Sequence, residues 1–325
     1  MFMIVKRFSD KLKSFSFLIP VIDLRRKLIT KKQQNLQMQL GRSLTARGQT
    51  AADAIFRLLD SRQPCLVGRF GDCELGIMVA DYVRHYKGSI TKHPLVQKLA
   101  KNGGFYPLTP ESVHAFSKLN VELMNSIDIL GSWCLEELLF KRKLRKALKI
   151  PLADIEPYSA QKPWARVLKN RAVLVVNPLT TTIAKQYKKR ELLFSNPDVL
   201  PNFRLSLYKP VYEFNETDRC FDSWFDALDS MKKDISKLDF QVAILGCGPF
   251  GMPLAAFIKN EMHRQAIVMG GATQVWFGIK GARWDESPFF REMYNPHWVY
   301  PSNDETPEKA DRLENGCYWK SAADE

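Results

Sequence analysis

Four short apolar runs in this chain each stop at a glycine or proline: Cys65–Gly68, Arg171–Asn177, Phe240–Leu245 and Ala266–Met269. Runs of four to seven apolar residues bounded by turn residues suit strands buried on both faces. Helical stretches separate them, so the chain reads strand, glycine turn, helix, strand. That order predicts an α/β fold with a mostly parallel, Rossmann-like sheet and helices on both faces. The helices are expected at Thr50–Asp60, Glu111–Ser126, Leu135–Lys149, Thr217–Lys237 and Gly251–Met262, and along the segment that Thr180–Thr182 caps. Phe203–Val211 alternates like a half-exposed strand.

Charge is unevenly distributed along the 325 residues. Residues 1–48 hold eleven basic groups against two acids, a balance of +9, which leaves only +4 of the total +13 for the rest. Ile4, Phe8, Leu12 and Phe15 share one helical face in this arm, with Lys6, Lys11 and Lys13 off it. Such a helix suits an anionic membrane surface, or docking on its own protein or on a partner. No zinc-finger, RRM or recognition-helix pattern accompanies the charge, so nucleic acid is not the expected partner. Six scattered cysteines, no signal-like start and no apolar run of spanning length give a cytoplasmic reading, peripheral at the inner membrane face through the arm. The expected organisation is a basic arm at 1–48, a folded body at 49–300 and a tail at 301–325.

Three segments carry chemistry. Arg69-Phe70-Gly71-Asp72-Cys73-Glu74 follows the first strand, and open α/β sheets bind ligands beyond the carboxyl ends of their strands. In an extended or turn backbone the carboxylates of Asp72 and Glu74 point the same way, which suits Mg²⁺ or Mn²⁺. Gly246-Cys247-Gly248-Pro249-Phe250-Gly251 is a GxGxxG turn between a strand and a helix, but the next strand ends in Gly270-Gly271 without the acid that grips a ribose. It reads as a nucleotide-site or packing loop. Around the third segment, Gly271 allows close approach, Lys280 and Arg283 neutralise phosphate, and Trp276 or Trp284 offers a ring to stack on. A glycine hinge with core aromatics explains the same residues. Arg190, on a helix with Lys185, Lys188 and Lys189, is a further phosphate candidate.

Read together from about Ala51 to Trp298, these segments resemble the GT-D-fold glycosyltransferases. The resemblance implies a nucleotide-sugar enzyme, with UDP as carrier and Mn²⁺ or Mg²⁺ at the DxE carboxylates Asp72 and Glu74. It implies a glycan, glycoprotein or lipid-linked acceptor. The nucleotide site would then comprise Arg69, Gly71, Arg190, Gly246, Gly248, Gly271, Lys280 and Arg283. Where the family often has glycine, this chain has Cys73. Asp285 and Glu286 are acceptor-base candidates by position. A SAM- or NAD-binding Rossmann protein and a non-catalytic membrane-surface scaffold are the alternatives.

Overall fold

In the computed structural model, residues 33–86, 88–211, 220–307, 310 and 314–319 are described. The apolar stripe and the lysines of the arm lie outside them, as do residues 217–219 of the expected Thr217–Lys237 helix. The chain divides into two units between Ser43 and Leu44. In the first, residues 33–43 are helical, and the Ser43 hydroxyl donates to the Leu40 carbonyl at 2.6 Å.

In the second unit seven strands form one all-parallel sheet: β1 (Cys65–Gly68), β2 (Ile129–Ser132), β3 (Leu148–Pro151), β4 (Ala172–Val176), β5 (Arg204–Tyr208), β6 (Val242–Leu245) and β7 (Gln265–Val268). Their order across the sheet is β3-β2-β1-β7-β6-β4-β5. Alternation explains why the strands read as unbroken apolar runs. Leu66, Leu174, Val176, Ala243, Leu245, Ala266 and Val268 enter one core layer. Their chain neighbours Cys65, Val67, Val173, Val175, Val242, Ile244 and Ile267 enter the other. Both faces are covered, so neither parity can be polar.

Helix α1 (Gln49–Asp60) precedes β1, and α2 (Asp72–Met78), α3 (Pro94–Gly103) and α4 (Pro110–Leu123) lie between β1 and β2. Helix α5 (Thr180–Tyr187) follows β4, and α6 (Trp224–Ser236) leads to β6. Helix α7 (Gly251–Asn260) joins β6 to β7, and α8 (Ala272–Trp276) follows β7. Strand β5 is the outer strand on one side and is partly exposed, as its alternation predicts.

The expected helix at Leu135–Lys149 is not formed. Leu135–Phe140 is a short 3-10 turn, and the flanking residues are the missed strands β2 and β3, whose ladder hydrogen bonds outweigh local helical spacing. The outer flank of β3 is where the body begins, earlier than residue 49: the Thr45 N–H donates to the Lys149 carbonyl at 2.8 Å. At the other end the expected tail belongs to the body. Glu305 accepts from the N–H groups of Thr181 and Thr182 at 2.6 and 2.9 Å, so it, rather than a threonine side chain, caps α5. Among the described residues no helix is long and apolar enough to cross a membrane.

Candidate functional site

Four loops meet above the carboxyl ends of β4, β6, β7 and β1. Gly246 marks how tightly: a Cβ there would stand 2.7 Å from the Asn177 side-chain amide, 2.7 Å from the Thr273 hydroxyl and 2.8 Å from the Gly270 carbonyl. Only glycine fits at that distance. Asn177 ties the loops together, accepting from the Leu179 N–H at 2.9 Å and donating to the Gly246 carbonyl at 3.3 Å. Gly270, at φ +62°, leaves its Cβ side open to Arg69, whose guanidinium lies directly against it.

Arg69, Phe70, Glu74, Asn120, Gly248 and Met252 line the narrow crevice beside this junction. Its volume is about 10 Å³, room for one water. The crevice is thus too small for anything larger than a water.

These two carboxylates open a helix rather than an extended turn, which corrects the basis for their shared direction. Residues two apart on a helix lie about 200° apart around its axis. Glu74 nonetheless reaches back over Gly71, as helical side chains lean toward the N-terminus. Burial pushes the Glu74 carboxyl above its usual range against the pull of the Arg69 charge. Asp72 is exposed and pairs with Lys98 of α3 at 3.0 Å. Partial burial works upward on Asp72, but the hydrogen bond and charge of Lys98 outweigh it and hold its carboxyl low.

Among the described residues no group of three or more His, Cys, Asp or Glu side chains forms a metal cage. Asp72 and Glu74 match the sparser kind of site in number and donor type, although in this conformation Asp72 is turned to Lys98 and Glu74 to Gly71 and Arg69. Mg²⁺ takes one or two protein carboxylates and completes its shell with water and phosphate, and Mn²⁺ favours the same oxygen donors. Cys73 is no competitor, because burial, with Asp72 close by, pushes its thiol up to about 12.

The remaining candidates separate. Gly271 lies at the junction, with Tyr318 and Arg283 against its open side. Arg283 is held by Glu314 at 2.5 Å and sits over the Tyr318 ring. Lys280 lies over the rings of Tyr294 and Tyr300, at 5.1 and 5.6 Å, and is not a crevice-lining residue. Arg190 is at the wrong end. It packs over Tyr187, whose hydroxyl bonds the Phe203 carbonyl just before β5, so it belongs to the amino edge of the sheet.

Trp276 and Trp284 are core residues rather than platforms. Both are buried, and the Trp276 indole donates to the Val199 carbonyl at 2.6 Å. Asp285 is likewise committed, accepting from the hydroxyls of Tyr294 and Tyr300 at 2.9 and 3.0 Å. The Gly246–Gly251 turn is wedged in place: Pro249 lies against Gly103, and Phe250 stacks on Trp224 with ring centroids 4.7 Å apart.

Two residues at this edge escape a reading of the sequence. Lys98 comes from another helix and carries no motif. Trp133 had a faint signal, because Cys134 and Glu137 stand at the spacing of a helix cap and its returning acid. Compared with known proteins, the chain matches no family model, no curated protein and no solved structure.

Proposed function

We propose that this protein is a nucleotide-sugar-dependent glycosyltransferase, with a UDP-sugar as donor and a glycan, glycoprotein or lipid-linked molecule as acceptor. The observation that carries the reading is the convergence at Arg69. This cation, from the segment after β1, lies against Gly270 after β7 and beside Glu74, and it shares the crevice with Gly248 after β6. Three segments spread over about 200 residues of sequence thus supply hard-oxygen donors, a fixed positive charge and close-packed backbone in one place.

Asp72 and Glu74 would hold Mg²⁺ or Mn²⁺, which supplies charge neutralisation to the diphosphate when bound. Arg69 stands ready to offset charge that builds on the leaving nucleotide, already oriented by Gly270. The N-terminus of α5, an alternative anion site, is taken by Glu305, which leaves the β1 side for the diphosphate. A cytoplasmic position at the inner membrane face agrees with the +9 of residues 1–48.

Calorimetry with UDP and Mn²⁺ tests the proposal. Asp72→Asn and Glu74→Gln should each abolish metal-dependent UDP binding and Mn²⁺-dependent hydrolysis of a nucleotide sugar, with melting temperature unchanged. Unaltered UDP and Mn²⁺ affinity in both variants would overturn it.

A further inference from the structure

One large aromatic on the carboxyl edge of the sheet is both exposed and immobilised. Trp133 follows β2, the direct neighbour of β1, and the register pairs Gly68 with Leu130. Trp133 is three residues beyond Leu130 and Asp72 is four beyond Gly68, so both leave the sheet at the same level, on strands about 4.8 Å apart. The indole N–H donates to the Phe70 carbonyl at 2.9 Å, fastening the ring to the segment that carries the carboxylates.

The backbone is fastened as well. Glu137, only 1% exposed, accepts from the N–H groups of Trp133 and Cys134 at 2.9 and 3.0 Å and from the Ser132 hydroxyl. Burial first, then the carboxylates of Glu137, Glu136, Asp72 and Glu74, push the Cys134 thiol up to about 12, which places this turn within the field of the DxE pair. Yet Trp133 remains 44% exposed. A buried carboxylate and both donors of one residue are thus spent on fixing a tryptophan that stays partly open to solvent and is bonded to the segment carrying Asp72 and Glu74.

The geometry points to Trp133 as the stacking platform for the nucleobase of a nucleotide whose phosphates lie at Asp72, Glu74 and Arg69. This rests on the nucleotide-sugar reading above and adds where the base goes. A nucleoside diphosphate carries its base one ribose away from its phosphates, the relation between a platform on β2 and a charge cluster on β1. Because the indole N–H is already engaged, the residue offers only its π face. A flat base accepts that face without needing a hydrogen bond from it. Trp224, Trp276 and Trp284, tryptophans near the glycine turns, are buried and cannot serve.

Calorimetry on the full chain with three probes tests the assignment: Mn²⁺-UDP, Mn²⁺-pyrophosphate and a Mn²⁺-UDP-sugar. Trp133→Ala should weaken UDP binding roughly tenfold to a hundredfold, the range of one base–aromatic stack, and leave pyrophosphate affinity unchanged. Trp133→Phe, which keeps a ring but loses the bond to Phe70, should retain UDP binding within about threefold. Wild-type UDP affinity in Trp133→Ala would overturn the platform, as would equal losses for UDP and pyrophosphate. A Phe variant as weak as Ala would also overturn it. Loss confined to the UDP-sugar would overturn the base assignment in favour of the sugar. If the unaltered protein binds pyrophosphate but not UDP, or neither, the nucleotide reading fails and the platform with it.

Discussion

Each edge of the sheet holds an arginine, and the two are enclosed differently. Arg171, on the amino edge before β4, is 8% exposed and donates to the Leu59 carbonyl at 3.1 Å and to the Gln265 side chain at 2.7 Å. Gln265 in turn donates to the carbonyls of Leu59 and Gln63. These partners are neutral and fixed, and the Arg171 Nε is left buried without a partner among the described residues. Arg69, on the carboxyl edge, has a glycine beneath it and a carboxylate beside it. One charge fastens α1 to two strands; the other is stored against a surface that yields space. What sets Arg69 apart is the glycine under it, where Arg171 has only side-chain and carbonyl partners.

The sharpest way to break this contrast is to remove each arginine in turn. Arg171→Ala leaves the Gln265 side-chain oxygen without its donor in the core and should cost about 1–3 kcal/mol of stability, with UDP affinity unchanged among molecules that fold. Arg69→Ala should cost less, because burial already works upward on the Glu74 carboxyl and losing the Arg69 charge raises it further toward the neutral form. It should instead weaken UDP binding. Denaturant titration of both variants, with calorimetry on the folded fraction, decides between them. Equal stability losses would erase the distinction.

A smaller effect sits beyond β3. Burial raises the Glu156 carboxyl from 4.5 to about 7, with the Tyr158 hydroxyl working the other way. The folded form therefore holds a proton that the unfolded chain has released. Stability from this group is complete below about 4.5 and falls as pH rises to about 7. Glu156→Gln should flatten that slope, gaining on the order of 1 kcal/mol near neutrality relative to the parent. Urea midpoints at pH 5 and 7.5 measure it, and parallel shifts in both proteins would refute the assignment. Smallest of all, Lys98→Ala should cost no more than about 1 kcal/mol, because Lys98 and Asp72 form an exposed pair. A loss approaching that of Arg171→Ala would mean that the carboxyl edge is built like the amino edge.

What the sequence discloses follows from how each element is held. Strands β1, β4, β6 and β7 are legible because burial on both faces leaves runs such as Val173–Val176 no polar interruption. Strands β2 and β3 are not. Gly131 and Ser132 dilute one and Lys149 sits inside the other, while Leu135, Leu138 and Leu139 between them mimic a helical face. Asp72, Glu74 and Arg69 are legible because they follow a strand in one short segment. Trp133 and Lys98 reach the same place only through β1–β2 pairing and the return of α3, which no local pattern encodes. Trp276 and Trp284 could be read from the sequence as platforms or as core, and packing makes them core.

The strand order also governs when the molecule can be completed. A chain emerging from the ribosome can pair β1 with β2 and β3, and β4 with β5 and β6, as two half-sheets. Strand β7 is made last yet lies between β1 and β6, so it is the keystone that joins the halves. Until residue 268 has emerged, β1 and β6 are open edges of the kind that invite wrong pairing. The crevice straddles this seam, with Arg69 on one half and Gly248 on the other. The crevice is therefore closed only after residue 268 has emerged, although Arg69, Asp72, Glu74 and Trp133 all belong to the first half-sheet.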